Sequence, residues 1–168
     1  MELSLARGIA LSATSAQTQR GADRSLAGIE AVLDLRTFSG PSGFGGVLRA
    51  GGVFGSGAVG LLEGGVTGRV ELLRRGLFGI DLGAALGPSL AYGELVSPTL
   101  LVFGDSVEAF GYGGFLQAEL TFLVSHFFVS VSATTRIMGF VATHDDDVLE
   151  GVTTTITPGA RVGFDWTL

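Results

Sequence analysis

Apolar and polar positions alternate along most of this chain, most clearly in residues 153–168, TTTITPGARVGFDWTL. Every second residue from Thr153 (Thr155, Thr157, Gly159, Arg161, Gly163, Asp165, Thr167) is small or polar. Most of the row between them (Ile156, Ala160, Val162, Phe164, Trp166, Leu168) is apolar. A period of two is that of a strand with one polar and one apolar face. This stretch is about twice the usual length of a strand in a soluble protein, which suits a strand that crosses a membrane. Pro158 interrupts it, since proline cannot donate a ladder hydrogen bond, and a bulge or local break is expected there.

The same alternation predicts seven earlier strands. The first covers residues 2–13, with Leu3, Leu5, Ile9 and Leu11 on one face; Arg7 falls in that apolar row, near an interface or beside a bulge. A polar connection, 14–25, precedes a second strand over 28–38, with Glu30, Asp34 and Arg36 on its polar row. A Gly/Pro turn at 39–43 leads to a third strand over 44–54 that carries Arg49. After a glycine-rich connection at 55–60, the fourth strand places Glu63, Thr67, Arg69 and Glu71 opposite Val66 and Val70. Arg74-Arg75-Gly76 makes a short turn, and the fifth strand, 77–87, carries Asp81. Residues 88–107, with Pro88 and Pro98, form the longest connection; its apolar run at 100–103 lets the fifth and sixth strands extend as a hairpin. The sixth strand, 108–124, turns inward Phe115, Gln117 and Glu119. The seventh follows a minimal turn near Ser125, with His126, Ser130, Thr134 and Arg136 on its polar row, and ends in an acidic loop, 143–151.

Only composition decides which row faces inward. Charged residues are 15% of the chain, against about 25% in soluble domains, and the mean hydropathy is +0.51. The outer row of a soluble lipocalin-like barrel would be hydrated and rich in Lys and Glu. Here the polar row is mostly Gly, Ser, Ala and Thr, the residues that fit inside a narrow eight-stranded barrel. Aromatic residues gather at two levels, as at the two interfaces of a membrane. Phe38, Phe44, Phe78, Phe122, Phe127, Phe164 and Trp166 fall at the end of the short turns, and Phe54, Phe110, Tyr112 and Phe140 at the other. The 28 glycines argue against helices. Cysteine and lysine are absent, which excludes a disulfide frame, a thiolate metal site and a lysine nucleophile. A net charge of −6 disfavours nucleic acid. The opening MELSLARG shows no signal peptide, so a barrel reading expects a leader that has been removed or lies outside this stretch.

Two patterns carry a family resemblance. Arg161, Gly163, Trp166 and Leu168 match polar, any, Gly, any, any, aromatic, any, hydrophobic. They resemble the C-terminal signal that the assembly machinery reads in bacterial outer-membrane β-barrels. The eight strands, joined by connections that alternate long and short, resemble the small outer-membrane family that includes the OmpA and OmpX barrels. The resemblance implies an all-β fold, an eight-stranded antiparallel up-and-down transmembrane β-barrel, as one domain over residues 1–168. It also implies a monomer in the cell outer membrane, whose partners are outer-membrane lipid, lipopolysaccharide and the barrel assembly machinery, with no cofactor and no nucleic acid.

The chemistry available is mainly charge. Glu30, Asp34, Arg36, Arg49, Glu63, Arg69, Glu71, Asp81, Glu119, Arg136, Arg161 and Asp165 all fall on the inward row. Buried charges must pair, and arginine forks match carboxylates, so a network that fills the lumen is expected in preference to an ion path. Most of these charges should lie at middle or short-turn depth, with Glu63 and Arg136 above them among small residues. Ser125 and His126, with Glu119 or Asp165, are the candidates for nucleophilic work. The His, any, Ser, Asn motif of an outer-membrane lipid A deacylase family is absent, because Phe127-Phe128-Val129-Ser130 follows His126. His144, Asp145, Asp146, Asp147 and Glu150 lack the spacing of a calcium loop, and a solvated loop is expected rather than a metal site. The function expected is a non-enzymatic envelope-structural or loop-presenting barrel with a charge-plugged lumen. The alternatives are a narrow pore or small-ligand barrel and, further off, a lipid-modifying enzyme.

Overall fold

The computed structural model describes residues 2–18, 23–39, 42–54, 57–96, 106–144 and 147–167. Eight strands follow in chain order: β1 (Glu2–Thr18), β2 (Asp23–Phe38), β3 (Gly43–Phe54), β4 (Gly57–Arg75), β5 (Phe78–Val96), β6 (Ser106–Val124), β7 (Phe127–His144) and β8 (Asp147–Thr167). Each pairs antiparallel with the next, and β1 pairs β8 from Glu2↔Thr167 to Thr18↔Gly151, so the strand order is that of a closed barrel. Both chain ends lie with the turns at 39–42, 76–77 and 125–126, hereafter the short-turn end.

Much of the sequence expected in long connections is strand. Pairing of β1 with β2 continues to Gln17↔Asp23, of β5 with β6 to Val96↔Ser106, and of β7 with β8 to His144↔Asp147. The expected loops 14–25, 88–107 and 143–151 are thereby reduced to 19–22, 97–105 and 145–146, which lie outside the described residues. A polar hairpin beyond the apolar belt still pairs its backbone N–H and C=O groups, so the ladder runs on. The hairpin expected of the fifth and sixth strands is the longest of these extensions.

The two prolines within the described strands, Pro88 and Pro158, are each taken in where one of their two ladders lapses. Pairing of β4 with β5 lapses between Glu63↔Ser89 and Val66↔Leu86, and Pro88 stays paired only with Gly114 of β6. Gly65 and Gly87 face each other across this gap so closely that a Cβ on either would meet the other's Cα at 2.7–2.8 Å. At Pro158 the β1–β8 ladder lapses between Ala10↔Gly159 and Ala13↔Ile156 and resumes in the same register, while β7 keeps the pair Ala133↔Pro158. The expected irregularity is therefore a local break, without a bulge. The bulge alternative for Arg7 fails in the same way, since the pairs Arg7↔Leu33 and Arg7↔Val162 keep constant register. A bulge that was not expected lies between Glu71 and Leu73, and it leaves both Leu72 and Leu73 exposed.

The two faces separate cleanly. Ile29, Leu48, Leu62, Val66, Leu82, Leu116, Val131 and Val162 are each half or more exposed on the outside. So continuous an apolar surface exceeds what a monomer keeps in water. Two aromatics assigned to the belts belong to the other row. Phe38 is buried in the lumen, sharing the parity of Asp34 and Arg36, and Phe140 shares the parity of Arg136, with its ring over Gly151. Phe44, Phe78, Phe127 and Phe164 remain exposed at the short-turn end, and Phe54, Tyr92, Phe110 and Tyr112 at the other. Trp166 pairs with Leu3 through its backbone. In the two-residue turns, Gly76 and Ser125 each take a φ of 59°, the positive value that a tight hairpin requires of its first loop residue.

The outward row should reject charge where the lumen row accepts a conservative change. Val66→Arg, on the exposed face among Leu62, Val70 and Leu86, should cost about 2–4 kcal/mol in urea unfolding from lipid vesicles. Thr67→Ser keeps the hydroxyl that donates to the Ala84 carbonyl at 3.0 Å and should be nearly silent.

Candidate functional site

Parity brings long charged side chains from six strands into a lumen only a few side chains wide. Four guanidiniums and four carboxylates meet near its middle. Arg136 of β7 forms a fork on Glu30 of β2, with Nη1 and Nη2 donating at 2.8 and 2.7 Å, and its Nε donates to Glu63 of β4 at 2.6 Å. Glu63 also accepts from Arg49 Nη1 at 2.6 Å and from the Ser89 hydroxyl at 3.0 Å. Arg49 Nε stands 3.3 Å from Asp34, which ties this cluster to a second one below it. There Arg36 grips Asp34 with Nε and Nη2 at 2.8 and 3.0 Å, and its Nη1 donates to Glu119 at 2.6 Å. Arg161 of β8 donates to Asp34 at 2.5 Å and pairs with Glu119 through its other Nη.

All eight groups are buried, and their formal charges cancel. The net charge of −6 is thus carried elsewhere in the chain. Taking one such ion out of water costs several kcal/mol, which is recovered only if its donors or acceptors are filled by good geometry. The lattice meets that condition by engaging several oxygens or nitrogens on each group. Glu63 and Arg136, expected among small residues, also meet Arg49 and Glu30. Arg49 and Glu63 are direct cross-strand partners of β3 and β4, which places both beside Arg136 and Glu30.

The other predicted residues do not join this lattice. Arg69 donates to Asp165 at 2.5 Å and lies over the Phe38 ring, 4.2 Å from its centroid, near the short-turn end. Glu71 is partly exposed and accepts from Arg74 Nε at 2.9 Å. Asp81 is buried, with Arg74 Nη2 3.9 Å away. Arg74 was assigned to a turn; the bulge at Leu72 turns it inward over Gly79.

Neutral groups complete the lattice. Gln117 accepts from Arg36 Nη2 at 2.7 Å, Thr67 stands 3.4 Å from Arg36 Nη1, and Arg49 lies 5.5 Å from the Phe115 centroid. Inward parity was their only sequence signal, and Ser89 lacked even that because it fell in an expected loop.

Of the candidate nucleophilic set, both acids are engaged elsewhere, Asp165 by Arg69 and Glu119 by two arginines inside the barrel. His126 is exposed in a turn, its Nδ1 3.2 Å from the Asp165 backbone carbonyl. Among the described residues, no group of three His, Asp or Glu side chains is placed to hold a metal; Asp145 and Asp146 lie outside them. Of the C-terminal pattern, Arg161 belongs to the lattice and Gly163 lies in β8, while the Trp166 side chain and Leu168 lie outside the described set.

Removal of one lattice member should cost far more than removal of a rim charge. Arg136→Ala removes both donors of the Glu30 carboxylate and the Nε donor from Glu63, and should lower stability by about 3–5 kcal/mol. Arg74→Ala, which breaks a part-exposed pair, should change it by less than about 1 kcal/mol. Urea midpoints of the two refolded variants check this.

No protein-family model and no curated protein matches the chain by sequence. Solved structures match over nearly its whole length. Ail, the attachment invasion locus protein of Yersinia pestis, aligns over 98% of both chains at 18% identity and a TM-score of 0.55. Outer membrane protein OprG of Pseudomonas aeruginosa aligns over 99% of this chain and 96% of its own, at 10% identity and a TM-score of 0.58. The N-terminal β-barrel domain of OprF from the same organism aligns over 96% and 97%, at 11% identity and a TM-score of 0.55. The chain therefore has the fold of the small eight-stranded outer-membrane β-barrels.

Proposed function

We propose that this protein is a non-enzymatic integral barrel of the cell outer membrane, an envelope-structural or surface-loop-presenting protein whose lumen is closed by its charges. The observation that carries the reading is the neutral lattice of Glu30, Asp34, Arg36, Arg49, Glu63, Glu119, Arg136 and Arg161, whose groups engage one another from six strands. Side chains locked to one another across so narrow a lumen leave no room for a continuous water column. The exposed apolar row and the shared fold support the membrane location. Its partners are then outer-membrane lipid, lipopolysaccharide and the assembly machinery, and it works as a monomer without cofactor.

The engagement of both candidate acids, Glu119 by Arg36 and Arg161 and Asp165 by Arg69, supports the non-enzymatic reading, because neither carboxylate is left to orient His126 as a base. A role like that of Ail, which has been crystallised with the heparin analogue sucrose octasulfate, is not carried over. The lattice is neutral, so the chain's excess negative charge lies outside it and would repel a sulfated ligand.

Planar-bilayer recording tests the closed lumen. Wild-type protein should give no sustained openings and Arg136→Ala should leak; well-defined openings in the wild type would replace the closed reading with a narrow pore. The C-terminal pattern has its own test. Deleting residues 166–168 should reduce surface assembly in cells much more than it lowers the stability of protein refolded in vitro, and undiminished surface display would remove the assembly-signal role.

A further inference from the structure

Below the lattice, toward the short-turn end, the lumen holds a cavity of about 20 Å³ whose walls include Asp81, Thr121, Arg161, Phe38 and Phe128. Asp81 is 2% exposed, and neither of its carboxylate oxygens has a hydrogen-bond donor among the described residues. At 3.9 Å, Arg74 is beyond hydrogen-bond range of it. Arg161 commits both Nη groups to Asp34 and Glu119, and its buried Nε–H has no acceptor among the described residues. One small space thus presents an acceptor that needs a donor and a donor that needs an acceptor.

Charge and size identify what fits. A cation drawn to Asp81 would face the guanidiniums of Arg36, Arg69 and Arg161, which also line the space, and an anion would face Asp81, Glu119 and Asp165. The ligand must be neutral and must both donate and accept. The volume exceeds the roughly 10–15 Å³ needed for a water and falls far short of a larger molecule. We propose that this cavity is a built hydration site, where water donates to Asp81 and accepts from the Arg161 Nε–H, and that it marks the level at which water from the short-turn end stops. Above it, both Glu30 oxygens accept from Arg136, and Glu63 accepts from Arg49, Arg136 and Ser89. Those two carboxylates have their donors already, so they offer an entering water no open oxygen. The closed-lumen reading does not require this boundary, and conductance does not measure it.

The test is water-edited solid-state NMR on the full, isotope-labelled chain refolded in lipid bilayers. Polarisation from water should reach the Asp81 carboxyl carbon and Arg161 Nε early, and the Glu30 and Glu63 carboxyl carbons severalfold later. An Asp81 signal as slow as that of Glu30 would overturn the hydration site. Glu30 and Glu63 signals as fast as that of Asp81 would overturn the boundary. In Asp81→Leu, which puts methyl groups into the cavity, transfer to Arg161 Nε should become slow, and unchanged transfer would overturn the bridging water. Should that variant not refold, the wild-type comparison still decides.

Discussion

The closed antiparallel ladder is the constraint from which the other features follow. Where there is no water, a backbone amide has only another strand to bond to, and a sheet with open edges leaves two rows unpaired. Pairing β1 with β8 removes the edges. Once the ring is closed, parity sends alternate side chains into a lumen that has no space for solvent around each one. Among the described residues, each proline sits where one ladder lapses, Pro88 beside β4 and Pro158 beside β1. The ladder also explains why polar connections become strand, since extending a hairpin pairs more backbone groups than looping them out.

Within that lumen, electrostatics takes the part that apolar packing plays in a soluble core. The buried hydrophobic residues among those described form only small clusters; Val47, Ala85 and Phe115 make one, and Leu123 and Phe128 another. Arginines and carboxylates fill most of the remaining space. Such a core is strongly directional. A leucine can slide against its neighbours, but the Arg136 fork fits Glu30 only in one orientation. The lattice thereby fixes the relative register of strands far apart in sequence, at a cost in desolvation that apolar side chains of similar volume would avoid.

The lower lumen is organised differently. Arg69 lies over Phe38 and bonds Asp165, Arg74 reaches Glu71 at the rim, and Asp81 has no donor among the described residues. The barrel is thus graded along its axis, from a densely cross-bonded ionic middle to a looser, partly hydrated end beside the short turns. The outside is uniform by comparison, since lipid asks only for apolar area with aromatics near the interfaces.

The sequence by itself determined what depends on parity alone. The strand count, the inward row from Glu30 to Asp165 and the apolar outward row could all be read because alternation is local and has a sharp period. Tertiary structure decided what depends on how one strand stands against another. Which carboxylate each arginine takes is set by the register around the ring, which brings Glu63 to Arg49 and Arg136 while leaving Glu71 at the rim. Ser89 and Gln117 join the lattice, and Arg74 turns inward, through pairing and a bulge that leave no mark in composition. The nearness of Phe38 to a turn suggests a belt position, whereas its parity sends it into the lumen. The ends of the strands were equally hidden, because a polar segment has the same composition whether it is looped out or paired, and only the partner strand settles which.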